Sequence, residues 1–195
     1  MATVPKLILA SSSPYRKALL QRFGLPFNAI SPAIDEQALA NESPRRQVLR
    51  LAEAKARKIA ESRPDALIIG SDQIALLEDR VLTKPGDRAN AIRQLGLMRN
   101  RMVVFKTGLC LLNAGKGSVR TDCVDFRVYF RDLGDVEIER YVDAEQPYDC
   151  AGSFKSEGLG ITLVEKMSGN DPSALIGLPL IRLAAMLREE GLPLP

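Results

Sequence analysis

Six side chains in this sequence are of types that handle phosphate and stand where a local pattern could aim them: Ser11, Arg16, Glu36, Lys55, Asp72 and Lys84. Asp72 follows the apolar run Leu67-Ile68-Ile69. A carboxylate beyond the carboxyl end of a buried strand is well placed to hold a metal or activate water. Gly70-Ser71-Asp72 is equally good turn chemistry, which would give the acid no such role. Glu36 lies in "SPAIDEQALANESP", residues 31–44, which has the composition of a loop. Lys55 falls on a helical stripe with Val48, Leu51, Ala52, Ala56 and Ile59, so its ammonium either snorkels to the rim or points into a cleft. Lys84 precedes Pro85, which biases its backbone toward an extended form. Together these residues supply several cations and two separated acids, the parts that metal-assisted phosphate chemistry needs.

The stretch "LILASSSPYRKALL" predicts how the first of them are presented. Leu7-Ile8-Leu9-Ala10 reads as a short buried strand. Ser13 can cap a helix with its hydroxyl, and Pro14 fits the first helical position, where no N–H is needed. Ala18, Leu19, Leu20 and Phe23 continue the helix, and Gly24 can close it. Such a helix start presents free N–H groups and the positive end of the dipole to an anion. Arg16 adds a planar fork of donors that matches phosphate. The plain alternative is an ordinary helix start with a solvated basic face. A second glycine-rich stretch, "AGSFKSEGLGI" over residues 151–161, allows close backbone approach to a ligand. Neither GxGxxG nor GxxxxGK[ST] occurs in the chain.

Composition removes several function classes. There is no histidine, which excludes Ser-His-Asp and Cys-His catalysis and HExxH zinc sites. Acid–base work falls to Asp, Glu, Lys, Tyr, Cys or metal-bound water. The net charge of +3, without a dense basic block, argues against a duplex nucleic-acid partner and is compatible with a small anionic ligand. Cys110, Cys123 and Cys150 are odd in number and widely spaced, which predicts reduced packing thiols in a cytoplasmic protein. Lys6 interrupts the N-terminal apolar run, so no signal peptide is expected, and no stretch is long enough for a membrane span.

The remaining elements follow from periodicity and punctuation. Residues 25–30 predict a second short strand, and Ser43-Pro44 starts a helix running to about Ser62. Residues 65–71 predict a buried strand, and a helix runs from Gly86 or Asp87 to about Met98. Residues 102–112 and 119–130 read as two long strands joined by a Gly-Lys-Gly turn. Helices are expected over 134–142 and 179–190, the last ended by Gly191 and Pro193. Strands alternating with helices, followed by a long hairpin, predict an α/β fold: a mixed sheet with a largely parallel core, flanked by helices, with a cleft at the strand ends.

The motifs "ASSSPYRKALL", "IDE", "AEAKA", "GSDQ", "TKP" and "AGSFKSEG" stand in the order and spacing of one family. Over nearly its whole length the chain resembles the Maf family of nucleotide pyrophosphatases. It is most similar to the branch whose members hydrolyse 7-methylguanosine triphosphate (7-methyl-GTP). The resemblance implies a fold like that of inosine triphosphate pyrophosphatase: an elongated mixed sheet, two lobes and a central cleft, within one domain over residues 1–195. It implies cleavage of a nucleoside triphosphate to monophosphate and pyrophosphate with a divalent metal, Mg²⁺ or Mn²⁺, and it leaves a homodimer open. Carried over by position, Asp72 matches the proton acceptor, and Ser11, Arg16, Glu36, Lys55 and Lys84 match other active-site positions. Glu36 and Asp72 would hold the metal, Ser11 and Arg16 the triphosphate.

Three further positions bear on the base. The pyrimidine-specific branch carries Arg, Thr and Gln where this chain has Tyr15, Gln73 and Glu157, and the methylguanine branch typically has Trp, Gln and Glu. Gln73 and Glu157 fit the second branch, and Tyr15 departs from it. Glu157 could accept from guanine N1–H and the exocyclic amine, and an aromatic face attracts a cationic methylated ring. The competing class is a non-catalytic nucleotide- or RNA-binding regulator of cell division, which would have no need of an acid at Asp72. An acid-nucleophile phosphatase would want DxDx[TV] after the first strand, where this chain has serines.

Overall fold

The computed structural model describes residues 6–194. The expectation that no signal peptide begins the chain rests partly on residues 1–5, which lie outside the described residues. The elements in chain order are β1 (Leu7–Leu9), α1 (Pro14–Gln21), β2 (Phe27–Ala29), α2 (Pro44–Ala60), β3 (Leu67–Leu77) and β4 (Arg80–Leu82). They continue with α3 (Arg88–Met98), β5 (Met102–Asn113), β6 (Ser118–Phe130), α4 (Asp135–Glu145), β7 (Val164–Ser168), α5 (Ser173–Ile176) and α6 (Leu180–Glu189). Two 3₁₀ turns, Ala151–Ser153 and Leu159–Leu163, lie in the segment before β7. Among the described residues, no helix is long and apolar enough to cross a membrane.

The strands form one mixed sheet in the order β2-β1-β3-β5-β6-β7, with β4 added to β3. Among the described residues, only β1 pairs in parallel, with β2 and β3. The pairings β3–β4, β3–β5, β5–β6 and β6–β7 are antiparallel. The expectation of a largely parallel core is therefore corrected. Parallel pairing needs a crossover connection, and only the short β1 and β2 are embedded in such crossovers. The sheet is carried by β3, β5 and β6, which run for 11, 12 and 13 residues and meet as antiparallel neighbours.

Strand alternation sends successive residues of β3 to opposite faces. On one face, Ile68 packs with Ala52, Ala56 and Ile59 of α2, and Ile74 and Leu76 pack with Val48 of the same helix. On the other face, Leu67 and Ile69 join a core under α1 and α6, whereas Ala75 and Leu77 join a separate core under α3 and α4. Between these two cores the same face carries Ser71 and Gln73, with Thr107 of β5 opposite Gln73. The two lobes thus have separate hydrophobic cores on one face of shared strands, divided by a polar belt.

α2 lies unusually close to the sheet. A Cβ on Gly70 would sit 2.0 Å from the Ala52 carbonyl oxygen, and one on Gly108 would sit 2.2 Å from that of Val48. Gly108 stands opposite Asp72 in register. Both glycines border Asp72, so the helix that carries Lys55 can settle directly over the acid.

Candidate active site

The local elements behave as their sequences dictate. Ser13 caps α1 by accepting from Arg16 N–H at 3.3 Å, and Pro14 takes the first turn. Ser11 is buried, and its Oγ accepts from Ser13 N–H at 3.1 Å, which fixes the serine loop. Ser43 caps α2 in the same way, at 3.4 Å from Arg46 N. The loop carrying Glu36 is tied to α2 by Arg50. Its guanidinium donates to both Glu42 carboxylate oxygens, at 2.6 and 2.7 Å, and to the Gln37 carbonyl at 3.0 Å. Neither Arg50 nor Glu42 stood out in the sequence.

Asp72 is neither at the end of β3 nor in a turn. It lies in the middle of that strand, so both readings of Gly70-Ser71-Asp72 are corrected. β1 pairs with β3 at residues 67–69 and β4 pairs at residues 75–77, on the same edge. Among the described residues, 70–74 have no strand partner on that edge, while β5 pairs along the whole of the other. The gap opens just past the carboxyl end of β1 and is where the cavity forms. The strand-end logic therefore holds for the neighbouring strand rather than for β3 itself.

The cavity encloses about 400 Å³ and all nine of the sequence-predicted residues line it: Ser11, Tyr15, Arg16, Glu36, Lys55, Asp72, Gln73, Lys84 and Glu157. Lys55 does not snorkel. It is 5% exposed, and its Nζ lies 2.7 Å from Asp72 Oδ1 and 2.9 Å from Glu36 Oε1. Asp72 is buried with it, whereas Glu36 is exposed. Arg16 donates through Nε to the Gly177 carbonyl at 2.8 Å. Burial lowers its guanidinium pKa from the ordinary value, and the carboxylates of Asp72 and Glu36 act against that. The same Gly177 carbonyl lies 2.8 Å from Ser71 Oγ, so α1, β3 and the turn after α5 meet at one atom. Lys84 is exposed and has no hydrogen-bond or ion-pair partner among the described residues.

Gln73 points to the opposite face of β3. Its amide nitrogen donates to the carbonyls of Ala174 and Leu175, at 2.7 and 3.0 Å, and approaches Thr107 Oγ1 at 3.0 Å. Acceptors on that side fix which end of the amide is nitrogen. The side-chain oxygen has no partner among the described residues and is the group left for a ligand, as an acceptor. α5 itself is anchored by buried Asp171, which accepts from Ser173 N–H at 3.1 Å and from Ile181 N–H at 2.8 Å.

A second cluster surrounds Tyr15. Its hydroxyl makes a long 3.5 Å hydrogen bond to Asp149 Oδ2. Burial raises the phenol above its usual pKa, and Asp149 and Glu157 push the same way. Cys150 lines the cavity too, although its sequence suggested only packing. Burial, with Asp149 and Glu157, pushes its thiol up to about 12, so it is no thiolate nucleophile at neutral pH. The loop behind is held by Glu145, whose carboxylate binds Lys155 Nζ at 2.5 Å and Leu159 N–H at 2.6 Å. Asp149, Cys150, Leu175 and Ile176 are lining residues that sequence reasoning missed. Only the Asp-Cys pair just before "AGSFKSEG" offered a signal.

A model of the Maf-like protein family matches residues 6–190 of this chain. The chain belongs to the Maf family. The relatives of this Maf protein are similar over almost their whole length. One from Methylobacillus flagellatus is 57% identical over 188 residues, covering 96% of this chain and 98% of its own. One from Aromatoleum aromaticum is 56% identical over 190 residues, 97% and 98% of the two chains. One from Alkalilimnicola ehrlichii is 55% identical over 194 residues, 100% and 98%. Each of these relatives is named 7-methyl-GTP pyrophosphatase.

Proposed function

We propose that this Maf protein is a metal-dependent nucleoside triphosphate pyrophosphatase. It cleaves the bond between the α- and β-phosphates, and its substrate is 7-methyl-GTP. The observation that carries the reading is the buried Lys55 between Asp72 and Glu36, in a cavity that Arg16 and the capped start of α1 also line. The names of the relatives supply the substrate. A protein that only bound an anion would gain nothing from burying Asp72 beside it, because the carboxylate repels phosphate.

The donor set fits a hard divalent cation. Asp72 Oδ1 and Glu36 Oε1 both contact Lys55 Nζ, so the two carboxylates stand side by side in the cavity and would hold a cation beside the ammonium, directly or through water. Among the described residues, no group of three or more His, Cys, Asp or Glu could form a cage. Two carboxylates completed by substrate phosphates are the usual arrangement for Mg²⁺. Mg²⁺ or Mn²⁺ held by Asp72 and Glu36 would supply positive charge to the phosphate oxygens and acidify water.

The chain's own residues divide the remaining work. Ser11, Arg16 and the N-terminus of α1 hold the triphosphate. Asp72 Oδ1 is fixed by Lys55, leaving Oδ2 to take the proton of the water that attacks the α-phosphorus. Lys55 and Lys84 offset negative charge that develops on the phosphate oxygens as pyrophosphate leaves. Gln73 and Glu157 present acceptors to the base, and Tyr15 its ring. This housekeeping role on modified nucleotides belongs in the cytoplasm and is carried out by one domain, and a homodimer stays open.

The test is turnover with Mg²⁺ on 7-methyl-GTP, GTP, UTP and dTTP with products separated. Monophosphate and pyrophosphate, formed fastest from 7-methyl-GTP, are expected. Release of orthophosphate would move attack to the γ-phosphorus, and binding without turnover would turn the protein into a sensor.

A further inference from the structure

The cavity has two electrostatic ends. Arg16 and Lys55 gather around Asp72 and Glu36, and there each acid has a cation beside it. Around Tyr15 the balance reverses. Asp149 and Glu157 both line the cavity, both are exposed, and neither forms an ion pair among the described residues. Lys155, a basic residue on the same loop, is taken by Glu145. Asp149 Oδ2 reaches the Tyr15 hydroxyl, and its Oδ1 accepts from Cys150 Sγ at 3.5 Å. Both carboxylates act on Tyr15 and on Cys150, so they flank one patch of wall.

Unpaired carboxylates are costly in a cleft that must admit a triphosphate. They repel it, and they repel each other. A neutral guanine offsets that cost at Glu157 alone, through hydrogen bonds from its N1–H and amine, whereas a base with a fixed positive charge offsets it at both carboxylates. A tyrosine ring attracts a cation less strongly than a tryptophan ring, and the chain has no tryptophan. We infer that Asp149 is a specificity-determining residue: with Glu157 it makes this end of the cleft select a positively charged base over a neutral base of the same shape. This inference rests on the function proposed above and adds to it the property of the substrate that is read, which is charge rather than the methyl group.

The experiment separates charge from shape. 7-Methyl-GTP carries a cationic ring, and 7-deaza-7-methyl-GTP has the same outline without the charge. Both are assayed with the wild-type protein, Asp149→Asn and Asp149→Glu, at mildly acidic pH so that N1 stays protonated. The wild type is expected to favour the cationic substrate by about tenfold or more in kcat/KM. In Asp149→Asn that ratio is expected to fall by roughly fivefold to tenfold, and Asp149→Glu is expected to restore most of it. Equal loss on both substrates would make Asp149 a loop-shaping residue and overturn the inference, as would an unchanged ratio. A wild type that hydrolyses both equally well overturns this inference alone, whatever the variants do. A wild type that hydrolyses neither removes the proposed function and this inference with it.

Discussion

The buried pair at one end of the cleft and the acidic pair at the other stand on different parts of the fold, although α1 and β3 reach both ends through Tyr15 and Gln73. At one end, Lys55 and Asp72 are buried, come from α2 and β3, and are fixed by core packing and by the close approach over Gly70 and Gly108. At the other, Glu157 and Asp149 are exposed and stand on the irregular segment between α4 and β7. Catalytic groups need placement to a fraction of an ångström, which rigid elements supply. Selection among bases needs only a change of charge or hydrogen-bonding type, which loops tolerate. The contrast implies that the reaction and the substrate preference can be altered separately, and substitutions at each end can break that claim.

The largest effect is expected at Asp72. Asp72→Asn keeps the shape but removes the proton acceptor and the charge that faces Lys55, and kcat is expected to fall by about 10²–10⁴-fold. Circular dichroism and product analysis on the same sample check this. Residual turnover within tenfold of wild type would take the role from Asp72. Lys55→Ala is expected to be next, and to damage both activity and fold. It leaves a buried carboxylate without its cation, and breaking such a pair costs about 3–5 kcal/mol. Urea unfolding measures that loss. A midpoint equal to that of the wild type would show that Asp72 is stable without Lys55.

How much of this was legible in the sequence depends on how local each signal is. Ser13-Pro14 and Ser43-Pro44 announced two helix starts, because capping involves only the next three residues. The position of Asp72 was misread for the opposite reason. Gly70-Ser71-Asp72 looks like a turn over three residues, and it is a strand only because β5 pairs along it, with Gly108 opposite Asp72. The same distance hid the role of Gln73, whose partners are the carbonyls of Ala174 and Leu175. β4 and β7 are short and lack strong alternation, and α5 is only four residues long, so none gave a period to read. All nine predicted residues line one cavity because their placement came through resemblance over the whole chain. Asp149 belongs to no motif used for that resemblance, and the folded wall is what places it beside Tyr15.

Gly108→Ala tests whether the rigid end depends on helix–sheet distance. The added Cβ meets backbone atoms of Val48, at 2.2 Å for the oxygen and 2.5 Å for the carbonyl carbon, and neither can swing aside. α2 must lift, and Lys55 rides on it. Overpacking of this kind costs about 1–3 kcal/mol, and kcat is expected to drop with little change in the ranking of bases. An unaltered unfolding midpoint together with unaltered kcat would mean that the helix position is not what aligns Lys55 with Asp72.

The smallest effect is expected at the other end and is the one that sharpens the comparison most. Glu157 is exposed, and its side chain accepts one hydrogen bond, from Ser156 Oγ at 3.2 Å. Glu157→Gln should therefore leave the melting curve where it is. Glutamine keeps one acceptor and adds a donor, which faces guanine N1–H and its amine poorly and suits a pyrimidine carbonyl better. The preference for 7-methyl-GTP over UTP is expected to narrow by about tenfold, the size of one exchanged hydrogen-bonding partner. The products should remain monophosphate and pyrophosphate, because nothing at the Lys55–Asp72 end has moved. If Glu157→Gln instead lowered kcat for every nucleotide by the same factor, the two ends would be one unit, and the separation of chemistry from selection would fail.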